Sequence, residues 1–441
     1  MNIDSAIIIA GGKGTRLAPA FPGIPKPMVQ VSGRPVIEWI IKTNIKYGIR
    51  RYLVTVGYLG NQIREFLGDG SRFGIRIDYY EERNPLGTAG AFSLFSEWVT
   101  DKPFFVFYGD TVGDVDLQRM AHYHYRSRAD ATILVHPNDH PVDSDLACLD
   151  PNGRVNRIYS KPHPPELRAR NLVNGALYLF NPSLISNIPR DSAVDFGKDL
   201  FPDWVRQFRL FGYRSTEYLK DMGTPYRRDR IENDLISGKI GRRNLRNKQR
   251  AIFLDRDGVI NRNKSLIRRP DEIELIDGAA DAIAKINRSD FLTIVVTNQS
   301  VVARGLTDEK GLDQIHGQLE WLLSSECGAY IDDIRYCPHH PDKGYPEEVK
   351  RYKIDCECRK PKPGMLLSAA EDYNIDLRRS ALIGDSITDI EAGEQARVGQ
   401  CIKIETDIDS SHSNSRHAVI HSSLFEAVDW LLEKSSLSQL E

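Results

Sequence analysis

Along most of the chain, short apolar runs of strand length alternate with stretches whose apolar residues recur at helical spacing. The first run, 6–10, leads at once into glycines. The pattern then predicts a helix over 36–47, a strand over 51–56, a short helix over 62–67 and a strand over 75–80. A helix over 89–98 and a strand over 103–108 follow. Further strands are predicted over 131–135, 172–180 and 210–213, and a closing helix over 225–236. Such alternation implies α/β architecture, a mostly parallel sheet with helices on both faces.

The stretch 237–250 breaks the pattern. It carries Lys239, Arg242, Arg243, Arg246, Lys248 and Arg250 with no acid, and reads as a basic, solvated linker. The alternation then restarts, with strands predicted over 251–254, 292–296, 334–336 and 381–383. Helices are predicted over 279–286, 309–324, 365–373, 389–396 and 424–432, with a polar, loose tail over 410–415. The expected division is a first domain over 1–236, the linker over 237–250 and a second α/β domain over 251–441. No internal repeat is present.

Composition fits this division. A chain of 441 residues is longer than one ordinary core spans, and 41% hydrophobic residues exclude a disordered chain. A formal net charge of −2 gives no whole-chain attraction to nucleic acid or membrane. No apolar run reaches bilayer-spanning length, and residues 1–9 lack the basic start and long apolar core of a secretion signal. The expectation is a cytoplasmic protein that binds small molecules, neither nucleic acid nor membrane, and is compatible with a homo-oligomer. Of the six cysteines, Cys337, Cys356 and Cys358 crowd into one stretch, which in a reducing compartment favours a metal over disulfides. Cys148, Cys327 and Cys401 read as core thiols.

The first domain opens its chemistry with Ala10-Gly11-Gly12-Lys13-Gly14-Thr15-Arg16-Leu17. Glycines after a strand let the backbone approach a phosphate chain, and Arg16 and Lys26 add cations beside it. The loop fits neither the P-loop nor the dinucleotide fingerprint. Together with Pro25-Lys26-Pro27-Met28, Pro85-Leu86-Gly87-Thr88-Ala89-Gly90, Tyr108-Gly109-Asp110, Asn174-Gly175-Ala176 and Asp221-Met222-Gly223-Thr224-Pro225, it resembles the sugar-1-phosphate nucleotidyltransferases over residues 5–235. The resemblance implies a Rossmann-like mixed sheet. It implies that Gly11, Gly12, Gly14, Thr15 and Arg16 hold the nucleoside triphosphate and that Lys26 stabilises its α-phosphate. Gly87 and Thr88 would frame base and sugar, Asp110 and Asp221 would hold Mg²⁺, and Lys161 and Asn174 would contact the sugar phosphate. Ser160 departs from the pattern, since many members have an acid before the sugar-site lysine.

The second domain carries Phe253-Leu254-Asp255-Arg256-Asp257-Gly258. Two aspartates two apart at a strand end suit a nucleophile, Asp255, and an acid–base, Asp257, with a metal to offset repulsion from the phosphate. Thr297, Asn298, Arg359 and Lys360 supply donors and cations for phosphate oxygens, and Gly384-Asp385-Ser386 with Asp389 supplies further carboxylates. In order, these resemble the motifs of the haloacid-dehalogenase phosphatases over residues 250–405, which implies a parallel sheet and Mg²⁺ at Asp255, Asp257 and Asp385. Cys337, His339, Cys356 and Cys358 form a complete ligand set for a structural Zn²⁺. They place the domain near the zinc-containing branch that includes D,D-heptose 1,7-bisphosphate and histidinol-phosphate phosphatases. Val301 stands where many members have glycine, an expected change in the substrate-facing loop.

The first half most resembles the heptose 1-phosphate guanylyltransferases, whose reaction consumes the product of a heptose bisphosphatase. The pairing implies a bifunctional enzyme of GDP-heptose synthesis for surface polysaccharide, with sugar phosphates and GTP as its ligands. Two other readings stand beside it. One is a mannose- or glucose-1-phosphate nucleotidyltransferase fused to a histidinol-phosphate-like phosphatase. The other makes one half a non-catalytic regulatory or binding module.

Overall fold

The computed structural model describes residues 3–190, 192–264, 266–405 and 419–437; the tail expected at 410–415 lies outside the described residues. The chain divides into two compact units. One comprises Met1–His136, Val142–His163 and Leu172–Leu245; the other comprises Pro137–Pro141, Pro164–Asn171 and Arg246–Glu441. Among the described residues no helix is long and apolar enough to cross a membrane.

The first unit is built on a mixed sheet. Strand Ser5–Ile9 lies parallel between Arg51–Val56 and Phe104–Tyr108, with Arg76–Glu81 beyond. Val173–Phe180 then runs antiparallel to Phe104–Tyr108 and joins Ala131–His136, Leu210–Arg214, Leu146–Leu149 and Val155–Tyr159 to the sheet. Both faces are buried. Ala6, Ile8, Phe105 and Phe107 point into one apolar cluster, while Ile7, Phe104 and Val106 point into another. That two-residue alternation makes the runs read as continuous apolar segments.

The stretch 89–98, expected as a helix, forms only a short 3-10 turn, Gly90–Leu94. Its backbone is claimed by a neighbouring segment: the Ala89 N–H bonds to the Val194 carbonyl at 2.9 Å, and Val194 N–H bonds to Leu86 C=O at 2.9 Å. The apolar residues Ala89, Phe92 and Phe95 are buried at a spacing of three, which the 3-10 geometry satisfies as well as an α-helix would.

Part of the basic stretch is folded onto the first unit. A short helix, Lys239–Arg242, is followed by the buried residues Arg243, Asn244 and Leu245. Asn244 Nδ2 bonds to Tyr47 Oη at 2.6 Å and to Asp114 Oδ1 at 2.8 Å, and Leu245 N–H bonds to Glu217. Composition alone reads these residues as solvated because their partners lie far away in sequence.

The second unit carries a parallel sheet in the order Asp333–Cys337, Phe291–Asn298, Arg250–Leu254, Ala381–Gly384, Gln400–Ile404, Val419–His421. The chain starts in the middle, builds outward on one side and returns to build on the other. The reversal falls between Arg250–Leu254 and Ala381–Gly384, the point at whose carboxyl edge open α/β sheets place their ligands. Helix Glu309–Cys327, capped by Asp308, covers one face and supplies Glu320. Glu320 forms a buried pair with Arg170 at 2.9 Å and accepts the Asn171 N–H at 2.8 Å, which ties Pro164–Asn171 into this unit. Val301 is buried with Val302, Ala303 and Leu312, so its side chain packs inward. Cys327, expected in the core, is exposed at the end of its helix.

Glu217 yields a test of this packing. It is buried and accepts from Asp116 N–H at 2.8 Å, Leu245 N–H at 2.9 Å and Ser215 Oγ at 2.9 Å. Burial pushes its carboxyl up to about 7, against the pull of those donors. With the folded pKa above the unfolded one, the stabilisation is complete below about 4.5 and is lost as pH rises through about 7. Glu217→Gln does not titrate, so it should gain on the wild type between about pH 5 and about pH 8 by on the order of 2 kcal/mol. Denaturant titrations of both proteins at the two pH values check this; a gap that does not change with pH contradicts it.

Candidate active sites

In the first unit, strand Ser5–Ile9 ends in an exposed loop that carries Gly12, Lys13, Thr15 and Arg16, with Gly11 and Gly14 half-buried beneath. Lys26 opens the turn Lys26–Met28, and its Nζ donates to Asp110 Oδ2. Asp110 follows strand Phe104–Tyr108. Its carbonyl accepts the Met222 N–H at 2.8 Å, and Asp221 pairs in register with Thr111. The two acids expected to hold Mg²⁺ are therefore brought to one place by backbone pairing. Asp221 in turn is held by Arg227 Nη1, 3.0 Å from both carboxylate oxygens. Gly223 sits where a β-carbon would lie 2.5 Å from Asp221 Oδ2 and 3.0 Å from Arg227 Nη1, so a larger residue would push this pair aside. Thr224 caps the helix Pro225–Ile236, which places Arg227 in its first turn, aimed back at Asp221.

The expected sugar-phosphate residues also meet. Asp145 Oδ1 accepts the Lys161 N–H at 3.1 Å, and the Asp145 carbonyl accepts the Asn174 N–H at 2.9 Å. Asn174 Nδ2 donates to Tyr178 Oη at 3.1 Å. Ser160 Oγ bonds to the Gly197 carbonyl at 2.9 Å. Thr88 Oγ1 donates to Asp195 Oδ2 at 2.7 Å, and Gly87 lies against the Val194 backbone. Burial raises the Asp145 carboxyl above its ordinary value, and Asp195 adds to the effect.

Asp143, Asp145, Asp195 and Arg227 are not singled out by sequence reasoning. Arg227 carries a legible signal, because it stands two residues past Pro225 in the first turn of the helix. The acids carry none, since each sits in a polar loop that resembles any other.

In the second unit, Asp255 directly follows strand Arg250–Leu254, and its N–H bonds to the Ile383 carbonyl at 3.0 Å. Lys360 is only 4% exposed, yet its ammonium meets Asp255 at 2.9 Å, Asp389 at 2.5 Å and the Val296 carbonyl at 2.8 Å. Burial opposes its charge, but the two carboxylates together raise its pKa. Asn298 frames it with a reciprocal pair of hydrogen bonds to the Lys360 backbone, both 3.0 Å. Asp255, Asp385 and Asp389 offer carboxylate oxygens within 4.8 Å of one another, the hard donor set that suits Mg²⁺. Gly258, at φ +83°, lies where a β-carbon would strike Asp385 Oδ2 at 1.9 Å.

Asp257, expected among the Mg²⁺ ligands, lies outside that group. Its carboxylate accepts from Arg256 Nη2 at 2.9 Å, Asn261 Nδ2 at 2.9 Å and Gln299 Nε2 at 2.9 Å. Burial works to raise its pKa, but Arg256, Asn261 and Gln299 outweigh it and hold the carboxyl below its usual range. Gln299 also donates to Thr297 Oγ1 at 2.8 Å. Sequence reasoning assigns no role to Arg256 or Asn261 and does not pair Gln299 with Asp257, although Arg256 stands inside a quoted motif.

Cys337, His339, Cys356 and Cys358 converge with donor atoms within 4.8 Å of one another. The contacts Cys337–Cys356, His339–Cys358 and Cys356–Cys358 are 3.5, 3.3 and 3.3 Å. Bonds of about 2.0–2.3 Å to a tetrahedral Zn²⁺ require edges of about 3.3–3.8 Å, which these distances match. They are far beyond disulfide length. Arg359 Nη1 donates to the His339 carbonyl at 3.2 Å, so this quartet positions the segment that carries Arg359 and Lys360.

The family model described as nucleotidyl transferase matches residues 5–228, and the one described as haloacid dehalogenase-like hydrolase matches residues 214–397. The D-glycero-beta-D-manno-heptose-1,7-bisphosphate 7-phosphatase of Photorhabdus laumondii is 39% identical over 156 residues, 35% of this chain and 80% of the relative. The enzyme of the same name from Escherichia coli K12 is 41% identical, over 35% of this chain and 79% of the relative. The crystal structure of HddC from Yersinia pseudotuberculosis matches at 24% identity with a TM-score of 0.46, over 53% of this chain and 100% of that one. The chain is therefore a two-enzyme fusion that belongs, through its first half, to the nucleotidyl transferase family and, through its second, to the heptose-bisphosphate phosphatases among the haloacid dehalogenase-like hydrolases.

Proposed function

We propose that the chain makes a GDP-heptose. Its second unit removes the 7-phosphate of D-glycero-D-manno-heptose 1,7-bisphosphate, and its first unit joins the resulting 1-phosphate to GTP with release of pyrophosphate. The observation that carries this is the second unit's likeness to heptose-bisphosphate phosphatases, with Asp255, Asp257 and Asp385 just past strand ends and Lys360 brought to Asp255 from the loop before helix Gly364–Asp372. A phosphatase that spares the anomeric phosphate produces the substrate class a sugar-1-phosphate nucleotidyltransferase consumes. GTP is favoured by the likeness of the first half to heptose 1-phosphate guanylyltransferases. Nucleoside triphosphate supply and reduced cysteines suit the cytoplasm.

At the second site, an Asp255 oxygen attacks phosphorus and the sugar alcohol leaves, forming an aspartyl phosphate. Asp257, in its protonated form, gives its proton to the leaving sugar oxygen and then, as the carboxylate, takes one from the water that attacks phosphorus and frees Asp255. Arg256, Asn261 and Gln299 aim its carboxylate, while Lys360, Thr297, Asn298 and Arg359 meet phosphate oxygens. At the first site, Arg16 and Lys26 offset charge on the triphosphate as the already ionised sugar phosphate attacks the α-phosphorus in line. Mg²⁺, when bound at Asp110 and Asp221 and at Asp255, Asp385 and Asp389, supplies charge neutralisation at each centre.

The test is mass spectrometry of the products formed from each anomer of the bisphosphate with Mg²⁺ and GTP. Phosphate, pyrophosphate and a GDP-heptose are expected. Phosphate without a nucleotide sugar from either anomer would overturn the transferase substrate. No phosphate, alongside fast hydrolysis of histidinol phosphate, would favour the other pairing.

Two further outcomes are expected. Gln299→Leu should lower phosphatase kcat by roughly 10- to 100-fold, because it frees one side of Asp257, while nucleotidyl transfer persists. Steady-state rates of both reactions check this, and an unchanged phosphatase kcat contradicts it. Purified protein should carry one Zn²⁺ per chain, and Cys356→Ser should destabilise the second unit rather than only slow it. Metal analysis with thermal unfolding decides; a stable, active, zinc-free protein would sink the assignment.

A further inference from the structure

Three cations from distant parts of the first unit converge on one acid that sequence reasoning does not single out. Asp143 Oδ2 lies 3.0 Å from Arg16 Nη1 and 3.3 Å from Arg227 Nη2, and Asp143 Oδ1 lies 3.6 Å from Lys161 Nζ. Lys161 Nζ also donates to the Asp143 carbonyl at 2.8 Å. Arg16 comes from the glycine loop, Lys161 from the segment after Val155–Tyr159, and Arg227 from the helix that follows Asp221. No helix or strand requires these side chains to meet. What they share is a single negative charge, on a short surface turn, Pro141–Asp143.

The Asp143 side chain is 43% exposed, so it can leave for water at small cost. Arg227 is tighter, at 18% exposed, because its other nitrogen is fixed on Asp221. A phosphate offers more than the carboxylate it would replace: a second charge and a third terminal oxygen, matched to two guanidinium groups and an ammonium. We propose that Asp143 is a resident counter-ion standing in the position of a substrate phosphate, that binding displaces it, and that Arg227 is a phosphate-contacting residue linking that phosphate to Asp221. The proposal rests on the reading of Arg16 and Lys161 as substrate-phosphate residues. The phosphate is either the sugar's own or part of the triphosphate.

Asp143 then acts as a built-in competitor. It keeps the three cations gathered when the site is empty, at the cost of weaker anion binding. The test uses the full chain and two probes that do not depend on the sugar or the base: inorganic pyrophosphate for the triphosphate and inorganic phosphate for the sugar phosphate. Calorimetric titration of wild type and Asp143→Asn should show one probe bound about three- to tenfold more tightly by the variant. The probe that tightens names the source of the phosphate. Binding at the second unit is common to both proteins and cancels in the comparison. Arg227→Gln should weaken the same probe, and adding Asp143→Asn to it should recover less than in the wild-type background. Unchanged or weaker binding of both probes by a folded Asp143→Asn would overturn the competitor. A fully additive double variant would remove Arg227 from the phosphate. Because neither probe carries a heptose or a guanine, a wrong substrate in the proposed function leaves this result intact.

Discussion

The ammonium of Lys360 is almost wholly buried, and it stays charged because Asp255 and Asp389 flank it. Each charge is tolerable only in the presence of the others. An isolated buried ion costs several kcal/mol, and breaking such a pair typically costs about 3–5 kcal/mol. The contact also fixes geometry. Asp255 extends one strand, the Val296 carbonyl belongs to the next, and Asp389 stands in the first turn of a helix, locked by its capping bonds to Ser386. One lysine thus holds Asp255, the end of strand Phe291–Asn298 and Asp389 in register. Its own segment is positioned by Asn298 and by the cysteine–histidine quartet.

The first unit solves the same problem with more water. Lys26 with Asp110, Arg227 with Asp221, and Arg16, Arg227 and Lys161 with Asp143 are partly exposed pairs. Such pairs contribute little stability and exchange partners readily. That suits a site that must admit and release highly charged substrates, whereas the proposed role of Asp255 requires a carboxylate held in one place. The difference in burial is thus a difference in how long each charge must stay where it is.

Much of this was legible in the sequence. Strands buried on both faces read as apolar runs, so Arg51–Val56 and Phe291–Asn298 declare themselves, and the acids that follow strands point to the carboxyl edge of each sheet. The convergence of Cys337, His339, Cys356 and Cys358 was legible because their residue types and spacing are those of a tetrahedral ligand set. Asp143, Asn261 and Gln299 as partners were not, because their roles come from contacts across tens to more than a hundred residues or from the direction a side chain takes inside a loop. The 89–98 segment misled for a related reason. Its apolar spacing suits two kinds of helix, and the choice is made by backbone bonds to Val194. Asn244 and Leu245 read as linker until Asp114 and Glu217 are brought beside them.

Two separate catalytic centres are expected in one chain, one organised around Asp255 with Lys360 and one around Asp110 with Lys26. The most direct test measures phosphate release and nucleotidyl transfer side by side in Asp255→Asn and Asp110→Ala, each verified as folded by its thermal unfolding. Asp255→Asn should lose phosphate release and keep nucleotidyl transfer within about twofold, and Asp110→Ala should do the reverse. Loss of both activities together in either folded variant would contradict this.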